Sequence, residues 1–379
     1  MNTLIEILDF EQTENIISPL IFGFDHIIYL YDQNHDYQRK RKTLHNLLAK
    51  KGVHNVEFLL VKEDAEYVFE SLTRKYPDAV FNCSNGSRTL LVKMAQYCQK
   101  TNQKCYTLNF QRKQFNDLHG CSDMKTGFRV PHLMIEDVIS LSSGEILKTG
   151  HALPLMSEEM ENDMKNVIQI MNTNSSAWTR LLGNLAKELR NQNPQNCDVW
   201  ISKPSEKGQL RLLRQLEEKQ ILQLACDGHE MCLAFKNRTL MKMFADSGAW
   251  LEYQAYLECQ QSHLFDDVRI STVVDWNIDS TNKNDPTCEV DLIVIRNCIP
   301  AFVSCKMNKC SALDLYEVKL LSQKLGGTLG KAAVISKAFA LRPGQPLYLK
   351  AQELGIKIIG SKEIEQDKIA ETLVEFLKS

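Results

Sequence analysis

Over its first 110 residues the chain repeats one pattern, a short apolar run, a polar turn and a helical stretch. TLIEILD reads as a strand and TENIISPLIF as the helix after it, and HIIYLYD precedes the helix RKTLHNLLAKKG, closed by Gly52. VEFLLV precedes AEYVFESLTRKYP, stopped before Pro77. AVFNCS precedes SRTLLVKMAQYCQKT, and KCYTLNF is a fifth strand. Apolar strands alternating with helices of this length specify a parallel sheet covered on both faces, an α/β fold.

At 379 residues the chain is long enough for at least two domains. A formal charge of -2 and 44% hydrophobic residues neither demand nor exclude nucleic acid. Any polyanion is therefore held by local patches. No run of about 18 apolar residues is present, so no membrane span is expected, and the opening MNTLIEILDFEQ, cut by Glu6 and Asp9, is too short for a signal h-region. Twelve cysteines without a C-x-x-C pair fit reduced thiols and a cytoplasmic location. Cys83, Cys105 and Cys232 sit inside strand-like runs and read as small core residues.

Residues 131–148 carry a Ser-Ser-Gly turn and read as a hairpin or a short helix and strand. Residues 157–195 are polar and helical, ending in the Asn-rich NQNPQN. A helix and a hairpin follow, turning at Asp227-Gly228. From about 239 a second α/β unit begins: helix WLEYQAYLECQ, strands VDLIVIR and PAFVSCK, helix ALDLYEVKLLSQKLGG, strand AAVIS, helix PLYLKAQELG and strand KIIG. The expected domains are 1–150, a connector over 151–235, and 236–379.

Two places carry chemistry. The first is NCSNGSR, Asn82 to Arg88, at the carboxyl end of the fourth strand, where open parallel sheets gather ligands. Neither G-x-x-x-x-G-K-[ST] nor G-x-G-x-x-G is present, so generic nucleotide folds are unsupported. Spacing alone leaves two readings open, a ligand loop or a Ser-capped helix start with Gly in the turn. The run resembles the N-x-T-G-G-T-K motif of CARF (CRISPR-associated Rossmann-fold) domains at the same junction. Asn82 and Gly86 match outright; Ser84, Ser87 and Arg88 stand for Thr, Thr and Lys, and Asn85 replaces a glycine. In that family this loop and the loop after the first strand bind cyclic oligoadenylate across a homodimer. The resemblance implies a cradle of Asp9, Phe10, Glu11, Gln12 and Thr13 with Ser84, Asn85, Gly86, Ser87 and Arg88.

The second lies in CEVDLIVIR and AFVSCK. Glu289 and Asp291 alternate onto one strand face, while Phe302, Ser304 and Lys306 share a face of the next strand. A hairpin turning near Asn297 sets Asp291 beside Ser304 and Lys306. This resembles the PD-(D/E)xK nucleases, in which carboxylates hold Mg²⁺ or Mn²⁺ and the lysine orients or activates water. The departure is Ser304, standing where a second acid is usual. On helical geometry Glu252, amid Leu251, Ala255, Tyr256 and Cys259, faces the sheet. Glu317, bracketed by Leu313, Tyr316, Leu320 and Leu321, is expected to face it too. The expected catalytic set is Asp291, Lys306, Glu252 and Ser304, with Glu252, Asp291 and Glu317 as metal ligands. Bases outnumber acids from Lys306 to Lys362, as a nucleic-acid substrate requires.

Together the halves resemble the ancillary nucleases of type III CRISPR systems. That family is a Rossmann-like CARF sensor domain joined to a restriction-endonuclease-like domain. The resemblance implies a homodimeric, metal-dependent endonuclease acting on DNA or RNA in antiviral defence, activated allosterically by cyclic oligoadenylate, the tetra-adenylate by analogy. The alternative is a non-catalytic, cyclic-nucleotide-responsive regulator. Its residues 205–240, with a helix and hairpin like those of a winged helix, would bind DNA.

Overall fold

The computed structural model describes every residue except 1, 10–12, 33–37, 63, 111, 113, 128–129, 150–156, 193–195, 247, 277–286, 308 and 379. The apolar runs of the first third become β1 (Thr3–Ile7), α1 (Thr13–Phe22), β2 (His26–Tyr31), α2 (Gln38–Lys50), β3 (Asn55–Leu60), α3 (Ala65–Lys75), β4 (Val80–Asn82), α4 (Arg88–Thr101), β5 (Cys105–Asn109) and β6 (Gln114–His119). The sheet order is β3-β2-β1-β4-β5-β6. The first five strands run parallel, and β6 pairs antiparallel at the edge. Alternate residues of β1 feed opposite faces. Ile5 and Ile7 pack with Phe69 of α3 and Met94 of α4, whereas Leu4 packs with Ile16 of α1 and Leu48 of α2. Chain order reverses beside β1, which lies between β2 and β4. A crevice opens at such a switch point beyond the carboxyl ends of the strands, and the loops after β1 and β4 meet there.

Next come α5 (Ile135–Leu141) and β7 (Glu145–Thr149). On the sequence alone these residues fall in the first domain, 1–150. In the structure β7 pairs antiparallel with β11 (Asp267–Asp275), adding an edge strand to the C-terminal sheet. The strap is fixed to that sheet by polar contacts: Ile135 N–H donates to Asp267 Oδ2 (3.2 Å), and Ser142 Oγ to the Leu325 carbonyl (2.8 Å). Lys51, after α2, reaches back to Asp137 at 3.2 Å.

The connector comprises α6 (Glu158–Thr173), α7 (Ser175–Gln192), β8 (Asp198–Ser202), α8 (Lys207–Glu218), β9 (Leu222–Asp227), β10 (Glu230–Phe235) and α9 (Arg238–Ala245). Its antiparallel sheet has the order β8-β10-β9. The Asp227-Gly228 turn forms as expected, with Gly228 at φ +57°. Fully buried Trp178 of α7 meets Trp250 of the next helix edge-on at 6.1 Å, which fastens the connector to the last domain.

That domain contains α10 (Ala249–Gln261), β11, β12 (Thr287–Arg296), β13 (Ile299–Lys306), α11 (Ala312–Gly326), β14 (Lys331–Ser336), α12 (Pro346–Glu353), β15 (Ile356–Ile359), α13 (Ser361–Glu365) and α14 (Ile369–Lys378). The sheet order is β15-β14-β13-β12-β11-β7, antiparallel from β7 to β13 and parallel from β13 to β15. Asn297 and Cys298, both at positive φ (51° and 65°), make the two-residue turn that fixes the β12–β13 register. Among the described residues no helix is long and apolar enough to cross a membrane. All twelve cysteines are free thiols.

Candidate functional site

Two sites are built by these frames. In the first, Asn82 ends β4 opposite Glu6 of β1, and both are buried. Asn82 Nδ2 donates to Glu6 Oε2 (2.6 Å) and to Ser18 Oγ (3.0 Å). Its Oδ1 accepts the Ser84 N–H at 3.0 Å and also the Ser84 hydroxyl. Ser84 Oγ in turn accepts the Leu108 N–H (2.7 Å). Asn82 therefore holds the loop from beneath. Burial lifts the Glu6 carboxyl to about 8, against the lowering effect of the Asn82 hydrogen bond. A second asparagine does the same for the neighbouring loop: Asn15 Oδ1 accepts the Asp9 N–H (2.8 Å), and Asn15 Nδ2 donates to the Ile7 carbonyl (2.9 Å).

Gly86 has φ +116°, and a Cβ there would stand 2.7 Å from Ile7 Cβ. Glycine is thus required because the loop crosses the end of β1, which is a packing constraint. Ser87 takes the N-cap position of α4 without a side-chain cap bond, and no acid occupies the helix's first turn. Exposed Arg88 adds a cation to the positive end of that helix. Ser84, Asn85, Gly86 and Ser87 are partly exposed, so this loop presents polar groups and the Arg88 cation. Of the expected partners across the crevice, Asp9 is half-buried, and Thr13 is buried at the start of α1 with 2% exposure. Phe10, Glu11 and Gln12 lie outside the described residues.

In the second site the hairpin brings Asp291 opposite Ser304. Ser304 Oγ donates to Asp291 Oδ2 (3.2 Å), and the Cys305 N–H donates to the same oxygen (2.7 Å). The serine thus orients the acid where a second acid was looked for. Lys306 lies 3.5 Å from Asp314 of α11. Burial works to lower the lysine's pKa, but Asp291 and Asp314 outweigh it and raise it, so the ammonium persists at neutral pH. Glu252, in the first turn of α10, accepts a hydrogen bond from Ser271 Oγ (3.1 Å). Burial first, and the charge of Asp291 second, push its carboxyl up to about 8, with Asp246 and Glu289 adding to the same field.

A small cleft of about 40 Å³ joins Asp291, Ser304 and Lys306 to Glu289, Asp314 and Glu317. Glu317 does not face the sheet as expected. Leu313, Tyr316 and Leu320 are 73%, 47% and 54% exposed, whereas Leu315, Val318, Leu321 and Leu325 form the buried stripe. The helix is apolar on both sides, so periodicity alone cannot choose the inward one. Glu317 stands exposed at the rim of the cleft. Sequence reasoning missed Asp314, Lys306's partner, although Ser311-x-x-Asp314 is a capping box that announces a helix start. It also missed Asp246, three residues before α10, and the whole of β11.

Among the described residues no three His, Cys, Asp or Glu side chains converge on one point as a ready-made metal cage. Mg²⁺ needs no such cage, since one or two carboxylates, waters and the substrate's phosphate complete its shell. Two acids, one of them kept protonated by burial and its neighbour's charge, fit that demand, because a divalent cation relieves the repulsion between them.

Residues 241–378 match the family described as Card1-like, endonuclease domain. Two solved structures share the fold of the whole chain. One is protein VC1899 from Vibrio cholerae, with 17% identity, TM-score 0.80 and coverage of 99% of this chain and 98% of that one. The other is Can2 from Sulfobacillus thermosulfidooxidans in complex with cyclic tetra-adenylate, with 14% identity, TM-score 0.72 and coverage of 100% and 98%. A search of curated proteins finds no significant match. The likeness of the whole chain to these structures bears out the expected α/β fold, and residues 241–378 bear out the expected likeness to an endonuclease domain.

Proposed function

We propose that this chain, whose C-terminal domain is a Card1-like endonuclease domain, is a metal-dependent nuclease of type III CRISPR defence, switched on by cyclic oligoadenylate. The tetra-adenylate is the first choice, being the ligand in the Can2 structure of the same fold. The observation that carries the reading is Asp291 and Lys306 sharing one cleft while buried Glu252 sits in the field of Asp291, with a polar loop carrying Arg88 on a second sheet.

Glu252 and Asp291 would hold Mg²⁺ or Mn²⁺, which when bound polarises the scissile phosphate and lowers the pKa of water. Ser304 and the Cys305 N–H fix one oxygen of Asp291, leaving the other for a ligand. Lys306, kept cationic by its acids, acts as a hydrogen-bond donor to attacking water or phosphoryl oxygen. Glu252 must lose its proton to ligate, so metal binding tightens as pH rises towards 8.

In the sensor, Asn85, Ser87 and Arg88 offer donors to ribose and phosphate of the activator on a loop that Ser84 pins to Asn82, with a second copy of the chain completing the ring's cradle. The strap from Pro131 to Thr149 is held by Lys51, just past the end of α2, and ends as a strand of the nuclease sheet, giving the signal a short physical route. Regulation requires that the ligand favour the active arrangement over the resting one. The test is incubation with Mn²⁺ and labelled single- and double-stranded DNA and RNA, with and without cyclic tetra-adenylate. Cleavage that ignores the ligand, or persists undiminished in Lys306→Ala, overturns the reading.

A further inference from the structure

The loop after β14, the strand that pairs with the one carrying Lys306, holds an aromatic ring in solvent. Lys306 pairs in register with Ser336, and Ser336 Oγ donates to the Lys306 carbonyl at 2.6 Å. The Ala338 N–H closes onto the same hydroxyl at 3.0 Å. Three residues beyond Ser336, Phe339 opens a single turn of 3-10 helix and is 63% exposed. Its neighbours are anchored on both sides: Ala338 and Leu341 are buried, and Lys337 Nζ donates to Ser175 Oγ (2.8 Å) and to Asn172 Oδ1 (3.3 Å). The ring is presented outward by a fixed backbone and forgoes most of the stabilisation a buried Phe contributes. The Arg342 guanidinium lies over it, 5.0 Å from the ring centroid, and the Arg342 N–H closes the turn onto the Phe339 carbonyl (3.0 Å).

An exposed aromatic face and a guanidinium on one rigid turn match the two parts of a nucleotide, a flat base and its phosphate. Isolated exposed apolar residues are ordinary on protein surfaces. This one differs in being tied through Ser336 to the backbone of Lys306. We propose that Phe339 and Arg342 form a stacking platform for an unpaired base of the nucleic-acid substrate, next to the scissile phosphate. The platform rests on the nuclease reading above and adds residues outside the metal-lysine cluster. Stacking needs a free base face, so the platform acts on a single strand or a flipped nucleotide, and a paired duplex offers it nothing.

The test uses the full chain with cyclic tetra-adenylate, in EDTA, binding a fluorescein-labelled single strand and its matched duplex by anisotropy, followed by cleavage kinetics in Mn²⁺. Phe339→Ala is expected to weaken single-strand binding about tenfold, within the range for one stacked base. Duplex binding stays within about twofold, and the kinetic loss appears in KM with kcat retained. Phe339→Trp restores binding, and Arg342→Gln lowers the slope of log affinity against log salt. Single-strand binding by Phe339→Ala equal to wild type, or equal losses on both substrates, overturns the platform while leaving the nuclease reading standing. A wild-type protein that neither binds nor cleaves any of the substrates overturns the nuclease reading, and the platform with it.

Discussion

Replacing Glu252 by glutamine separates what the carboxylate does for catalysis from what it does to stability. The folded protein holds this acid at about 8, against an ordinary value of 4.5. Between those values the unfolded chain binds fewer protons than the folded one, so stability falls as pH rises through the window. At about 1.4 kcal/mol per pH unit, the loss from this one group reaches about 2 kcal/mol by pH 6 and about 5 kcal/mol above pH 8. An amide has the shape of the protonated acid and still accepts the Ser271 hydroxyl, but it never has to ionise. The metal-free Glu252→Gln protein should therefore match wild type near pH 5 and become progressively more stable than it towards pH 9. Urea titrations at pH 5 to 9 in EDTA, followed by tryptophan fluorescence, read this directly, since buried Trp250 lies on the same helix. Adding Mn²⁺ should stabilise wild type and leave the variant unmoved, and the variant should not cleave. A difference between the two proteins that does not change with pH, or a variant less stable than wild type at pH 9, would refute the electrostatic account of the site.

Other consequences are simpler to read. Lys306→Ala should lower cleavage by at least about 100-fold, the scale set by one electrostatic donor, while activator binding by calorimetry stays at the wild-type value. Asn82→Ala leaves the Glu6 carboxyl buried without its donor and frees Ser84, so it should cost about 2–3 kcal/mol in chemical denaturation and weaken activator binding. Gly86→Ala forces a left-handed backbone and an overlap with Ile7; it should abolish activator-stimulated cleavage while leaving metal binding by the nuclease domain intact.

The alternation of runs and turns in the first 110 residues was enough to place the first sheet, because buried parallel strands are apolar on both faces and cannot be mistaken for their helices. That placement put the loops after β1 and β4 side by side at the switch point. Periodicity fails where an element lacks a single apolar side. β6, QFNDLH, is a polar edge strand that burial does not mark. β11 follows its helix with mixed polar and apolar residues and takes its place from pairing with β12 and β7. α11 is apolar around much of its circumference, which turned Glu317 the wrong way. Thr13 heads the helix TENIISPLIF that the sequence marks as α1, and its burial there comes from packing that no spacing encodes. The hairpin with Asn297 was legible, and through it the pairing of Asp291 with Ser304. What Ser304 does, donating to the acid it was thought to supplement, depends on a rotamer that no spacing encodes.

The central claim is that one ligand at the first sheet controls a metal-lysine site on another. Its most direct measurement is the initial rate of nicking of a supercoiled plasmid, and of cleavage of a labelled single strand, by the full chain in Mn²⁺ as cyclic tetra-adenylate is titrated. The account predicts negligible cleavage without ligand, a saturable rise with it, and loss of that rise in Asp291→Asn and Arg88→Ala for separate reasons: the first still binds the ligand, the second still binds metal. Equal rates at zero and saturating ligand would contradict it, as would a ligand-dependent rise in the Asp291→Asn protein.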